Sequence, residues 1–171
     1  MPIASTDLEY RLSGGAGNTI PNSSLGGAMS TAGGGVITDN VTDNLWDDVS
    51  GDEAAAGDTE YRGFYVKNTH ATLPWLSVVY WIASLTSSTD TEFDIAVAAE
   101  AAGSSMASIA DESTAPSGIT FSRPTTKGAG LSVGNIANGS YRGLWIRRTV
   151  SAGAAAANDS GTIRNEGDSN P

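Results

Sequence analysis

The chain has no cysteine and a single histidine, His70, in 171 residues. The first absence excludes disulfides and thiolate metal sites, so stability has to come from packing or assembly. The second leaves one residue on which any Ser/His/Asp triad would depend. Charge is also scarce. Charged residues make up 16% of the chain and give a net charge of −10, an excess that repels phosphate backbones and anionic headgroups. Neither nucleic acid nor membrane is therefore an expected partner. No apolar run approaches a membrane span, and the opening residues lack a basic-then-apolar leader, so synthesis in a cytoplasm is expected. What is abundant is small: 21 glycines with many Ser, Thr and Ala, and no triplet period that would indicate collagen. That is the profile of a loop-rich β protein.

The densest strand signal is Thr59 to Ala83, two aromatic and β-branched runs around a polar turn. In the first run Phe64 and Val66 share one face, and Tyr61, Gly63 and Tyr65 the other. In the second, alternation sets Leu76, Val78, Tyr80 and Ile82 against Trp75, Ser77, Val79 and Trp81. Tyr141-Arg-Gly-Leu-Trp-Ile-Arg-Arg-Thr149 echoes Tyr61-Arg-Gly-Phe-Tyr-Val-Lys-Asn-Thr69 eighty positions later, which predicts two strands in equivalent environments. Further strands are expected at 8–12, 91–99, 119–122, 131–133, 141–151 and 161–166, with 44–49 a short strand or turn, 50–57 loop, and a weak helical turn within 100–116. The whole reads as an all-β protein, a β-sandwich of immunoglobulin-like or jelly-roll-like type. Residues 1–35 carry few large apolar anchors and read as an extended Gly-rich N-terminal arm. It either lies along the surface of the sandwich domain, 36–171, or orders on a neighbouring molecule.

Candidate chemistry is thin. His70 sits in a polar turn with no Gly-x-Ser-x-Gly elbow, and the Gly-rich stretch Ser13–Asn18 lacks the Lys-Ser/Thr of a phosphate loop. No catalytic residue is assigned, although paired carboxylates are set by space rather than by spacing. Eight carboxylates and no Lys or Arg lie between Asp39 and Glu60. The tract admits Ca²⁺ but has no EF-hand spacing, so a solvated acidic loop is the preferred reading and no cofactor is assigned. Asp47, Asp48, Asp52 and Glu53 could instead meet Arg147 and Arg148, with Arg142 and Arg62, within the chain or between copies. Tyr61, Tyr65, Trp75, Trp81, Tyr141 and Trp145 could share a sheet face. Exposed, it would suit sugars or a subunit; covered, it is a second core face.

Several segments carry a resemblance: Asp7-Leu-Glu-Tyr-Arg-Leu-Ser-Gly-Gly-Ala-Gly-Asn18, Pro21-Asn-Ser-Ser-Leu-Gly-Gly27, Asp47-Asp-Val-Ser-Gly51 with Gly57-Asp-Thr-Glu-Tyr-Arg62, Tyr65-Val-Lys-Asn-Thr-His-Ala71, Asp111-Glu-Ser-Thr-Ala-Pro-Ser-Gly-Ile-Thr-Phe-Ser122, and Leu144-Trp-Ile-Arg-Arg-Thr-Val150 with Ala154-Ala-Ala-Ala-Asn-Asp-Ser160. Together they resemble small virion structural proteins of tailed bacteriophages. The resemblance implies a non-enzymatic particle component, such as a capsid decoration (cement) protein on the outer shell. A tail, neck or fibre-associated protein, with or without sugar binding, is the second implication. The implied partners are the major capsid protein and copies of the chain itself, as trimers if it occupies three-fold positions. The implied location is the virion surface. Leu8, Tyr10, Leu12, Ile20, Leu25 and Met29 are then the expected arm contacts with capsid or neighbour.

Overall fold

A computed structural model of the protein describes residues 2–157 and 159–169. Met1, Asn158, Asn170 and Pro171, which fall in the expected arm, a loop and the polar tail, lie outside the described residues. Two antiparallel sheets pack face to face as a β-sandwich. The larger has the order β2-β1-β3-β7-β5 and the smaller β6-β4-β8. The strands are β1 (Leu8–Leu12), β2 (Val36–Ile37), β3 (Asp58–Asn68), β4 (Trp75–Ser84), β5 (Thr91–Val97), β6 (Leu131–Ile136), β7 (Tyr141–Val150) and β8 (Thr162–Ser169). One short helix, α1 (Gly51–Ala56), precedes β3.

The two runs of the 59–83 stretch are both strands, but they do not pair. β3 lies in the middle of the large sheet and β4 in the middle of the small one, so the turn between them carries the chain from one sheet to the other. Asn68 fixes that crossing: its amide donates to the carbonyls of Leu73 (2.9 Å) and Ile136 (3.2 Å). β3 pairs instead with its sequence echo. In the β3–β7 register Phe64 faces Leu144, and these two residues are also equivalents in the repeat. A local two-fold axis therefore runs through that pair, placing Gly63 opposite Trp145 and Gly143 opposite Tyr65.

The core between the sheets follows the alternation of the strands. Phe64 and Val66 of β3, Leu144 and Ile146 of β7 and Phe93 and Ile95 of β5 meet Val78, Tyr80 and Ile82 of β4. Trp75 joins this inner set, contrary to simple alternation. Ser77 adopts a left-handed conformation (φ 50°) and inserts one extra residue into β4, which turns the strand before it over.

The outer face of the large sheet is a second core. Tyr65, Trp145, Ala96 and Ala98 are covered there by Met29 and Met106, with Ile109, Ile119, Phe121 and Tyr141 around them. The residues expected to form an arm supply much of this cover. β1 is an inner strand of the large sheet, paired with β3 over five residues. The segment that follows folds back over Gly63: the Ser13 hydroxyl donates to Gly63 O (2.7 Å) and accepts from the Gly26 N–H (3.0 Å), and Gly63 N–H donates to Ser24 O (2.7 Å). Residues 2–35 are therefore built into the fold rather than extended from it: β1 is a strand between β2 and β3, and the segment after it packs over β3.

Other boundaries shift for local reasons. The 50–57 segment holds α1, capped by Ser50 and Gly57, rather than loop, because Ser50 and Glu53 make a reciprocal capping box that satisfies two of the exposed N–H groups. The 100–116 segment makes turns but no helix, and 119–122 is reduced to one bridge, Ile95 to Ser122, before Pro124 removes a donor. β8 runs on to Ser169, past the expected end at Glu166.

Candidate functional site

The most ionised region of the interior lies at the end of the sandwich where β3, β5 and β8 begin and β7 finishes. Alternation along β3 sends Glu60 and Arg62 to the inner face, in line with Phe64, and β7 brings Arg148 directly opposite Glu60. All three are buried, Arg62 fully and Glu60 at 2% exposure. Arg148 Nε donates to Glu60 Oε2 at 2.6 Å, and its Nη1 to the Asp47 carbonyl at 2.8 Å. Arg62 pairs with Glu112 and, at 3.4 Å, with the Asp47 carboxylate. The Trp46 indole lies against both guanidiniums, 5.2 Å from Arg62 and 4.9 Å from Arg148. Burial pushes the Glu60 carboxyl above its ordinary value, and the Arg148 and Arg62 charges offset only part of that.

Beside this cluster is a cleft of about 1890 Å³. Its floor is the inner sheet face at Tyr10, Phe64, Phe93 and Ile146; its walls are the acidic 38–50 loop and residues 153–157 and 159–164. Carboxylate oxygens of Asp47, Glu60 and Glu112, and of Glu53, Asp58 and Glu60, come within 4.8 Å of one another. In the first group the oxygens face two guanidiniums, so the arrangement is an ion-pair centre in which Arg62 and Arg148 hold the positions a cation would take.

A second cluster sits on the outer face. Asp94 accepts from Arg123 Nε (2.9 Å) and Arg147 Nη2 (2.6 Å). Burial by itself would raise the Asp94 carboxyl, but the hydrogen bonds and the positive charges of Arg123 and Arg147 together outweigh it and hold the group below its usual range. Arg147 also lies 5.3 Å from the Phe121 ring, which is tilted against the Tyr61 ring at 5.4 Å.

The candidate charges are thus brought together within the chain in part. Asp47, Arg147 and Arg148 are in the two clusters; Arg142 donates to Ala98 O at 2.9 Å. Glu53 caps α1, and Asp48 and Asp52 are exposed. Glu60, Asp94, Glu112 and Arg123, which complete the clusters, carry no motif that singles them out in the sequence. Position 60 was readable, as an inward carboxylate in register with Phe64; position 112 depends on how the loop folds.

The aromatic set is not a single exposed face. Trp75 belongs to the inner core and Trp81 is buried at 6%. Tyr65 and Trp145 are covered on the outer face, with Tyr141 edge-on to Tyr65 at 5.2 Å. The Tyr65 hydroxyl donates to Gly27 O and accepts from the Met106 N–H at 2.7 Å, and burial pushes its pKa up to about 12. Among the expected arm contacts, Leu12 and Met29 are buried, Leu8 and Tyr10 pack on the inner core, and Leu25 is half-buried. Ile20 alone of the six is exposed, at 59%. His70 is a turn residue: its Nδ1 accepts from the N–H groups of Thr72 (3.1 Å) and Leu73 (3.0 Å). Compared with protein-family models and with curated proteins, the chain matches none.

Proposed function

We propose that the protein is a non-enzymatic structural component of a bacteriophage virion, a decoration protein seated on the outer capsid shell. The observation that supports this reading is how its ionisable groups are used. Arg62, Arg148 and Glu60 lock loop 38–50 and Glu112 to the sheet, and Arg147 with Arg123 clamps Asp94. These groups fasten loops to a rigid body, which suits a mechanical part. The segment resemblance to phage virion proteins supplies the particle.

The N-terminal segment is consumed by the protein's own outer core, so bridging by a wholly unfolded arm is replaced by a narrower contact. Among the described residues of this segment Ile20 is the large apolar side chain left exposed, with Val36 of β2 exposed just beyond it. They supply a modest contact per copy, and many copies on one shell convert it into firm retention through avidity. Immunogold labelling of intact virions tests the reading. Label over the whole head in many copies is the expected result; label confined to the tail or neck, or none on the particle, overturns it.

A further inference from the structure

Strand β8 presents an open edge with an unusual charge order. On one side it pairs with β4 from Thr162 to Ser169. On the other side no described strand pairs with it, and the Ile3 N–H reaches only the Ser169 hydroxyl at its far end. The eight residues Thr-Ile-Arg-Asn-Glu-Gly-Asp-Ser contain no proline. The opposite edge of this sheet, β6, is interrupted at Gly134, which has a left-handed φ of 85°. An edge of this length without a bulge is a template for another strand.

We infer that β8 pairs with β8 of a second copy, antiparallel and across a two-fold axis at Asn165, joining two three-stranded sheets into one of six. Charge complementarity selects this occupant and this register. A two-fold perpendicular to an antiparallel pair passes between two copies of the same residue, so only one residue can sit on the axis. With Arg164 there, two guanidiniums face each other; with Glu166 there, two carboxylates do. With Asn165 there, each Arg164 faces Glu166 of the other copy, twice by symmetry. Thr162, Arg164, Glu166 and Asp168 are the exposed residues of the strand, so these pairs form on the outer face. Ile163 and Asn165 stay inside, Ile163 against the core and Asn165 on the Tyr10 hydroxyl at 3.0 Å. The Lys127–Glu166 contact lies on the same outer face, half-exposed at both ends, and adds a second cation beside the pair.

The net charge of −10 on each copy opposes association, so the pairing is reversible and concentration-dependent. Sedimentation equilibrium of the full chain at physiological salt, from micromolar to millimolar protein, is the test. Wild type is expected to show a monomer–dimer equilibrium, with slower hydrogen exchange along β8 as the dimer fills. Arg164→Glu turns both pairs into like charges and should weaken the dimer at least about tenfold. The swapped variant Arg164→Glu/Glu166→Arg, made in a Lys127→Ala background so that no lysine opposes the new arginine, restores opposite charges and should return to within about threefold of the Lys127→Ala protein. Both positions are exposed, and circular dichroism checks that each variant is folded. A monomer throughout, a dimer indifferent to Arg164→Glu, or a swap as weak as the single change would each overturn the proposal.

Discussion

A methyl group added at Gly143 should destabilise the protein, and removing the Met106 side chain should cancel most of that loss. Gly143 lies on β7 beneath Met106, with the backbone in ordinary extended geometry, so the effect is steric. A Cβ there would sit 2.3 Å from Met106 Cγ, 2.4 Å from its sulfur and 3.0 Å from the Ala98 methyl. Carbon atoms pack at about 3.5–4.0 Å, so the thioether must retreat by roughly 1 Å or more. Tyr65 and Trp145, both buried to 1% exposure or less, leave it nowhere to go. Overpacking of this kind costs about 1–3 kcal/mol, and the stiffer unfolded chain returns about 0.4–1 kcal/mol, for a net loss of about 1–2 kcal/mol. At this chain length that is about 2–8 °C in Tm. Met106→Ala alone should cost about 2–5 kcal/mol through the cavity it leaves. In the double variant the new methyl fills part of that cavity, so Gly143→Ala becomes close to neutral and the two changes couple by about 1–2 kcal/mol. Urea unfolding of the four proteins, with m-values compared, measures the cycle. Additivity within about 0.5 kcal/mol would refute the packing of Met106 over β7.

Three other outcomes follow from the same structure. A chain beginning at residue 36 loses β1 and the cover over Gly63, and should show no cooperative urea transition; a sharp transition with an unreduced m-value would show that the first 35 residues are dispensable. Glu60→Gln leaves Arg148 facing a neutral amide in a buried site and should cost about 3–5 kcal/mol, whereas replacing the pair by Glu60→Leu/Arg148→Met should recover much of it; equal losses for both variants in urea midpoints would contradict the account of the cluster. Asp94 stays ionised in the folded state at pH values where the unfolded chain takes up a proton. Its contribution is therefore full above the unfolded carboxyl pKa of about 3.9 and is lost as pH falls through the lower folded value. The stability gap between wild type and Asp94→Asn should narrow below about pH 4, and a gap constant with pH would refute the assignment.

Strand positions were legible wherever alternation was clean. The Phe64/Val66 face, the Phe93/Ile95/Val97 face and the run from Tyr141 stand where the pattern puts them, because a half-buried strand writes its burial into every second residue. Partners were not legible, since β3 and β7 offer the same apolar faces to any neighbour of the right length. The N-terminal segment misled for a different reason. Beyond Leu12 and Met29, its burial is achieved by Ser13, Ser24 and Ser30, all at 0% exposure, and by glycines that tolerate no side chain, such as Gly26, where a Cβ would lie 2.1 Å from Ala107 O. Hydroxyls and bare backbone leave no hydrophobic signal. The reversal of Trp75 depends on one left-handed serine, which propensity does not foretell. The capping box at Ser50 and Glu53 was readable in the sequence but lies in a tract whose acidity suggested loop. The partners of the ion cluster needed the register of β3 on β7, and with it the position of Glu112.

The local two-fold between β3 and its echo also has a consequence for biosynthesis. A ribosome releases Tyr61–Thr69 eighty codons before Tyr141–Thr149, an interval of about 4–16 s at ordinary elongation rates. For that time the central strand of the larger sheet has β1 on one edge and nothing on the other. Its most apolar surface, including Tyr65 and Phe64, waits for a partner that is still being translated. The emerging chain must therefore pass through a stage with an unpaired, aromatic-rich edge. The pair that finally closes it is a long-range contact of the slow-forming kind. A nascent chain stalled before residue 141 is, on this view, the form of the protein most prone to stick to its neighbours.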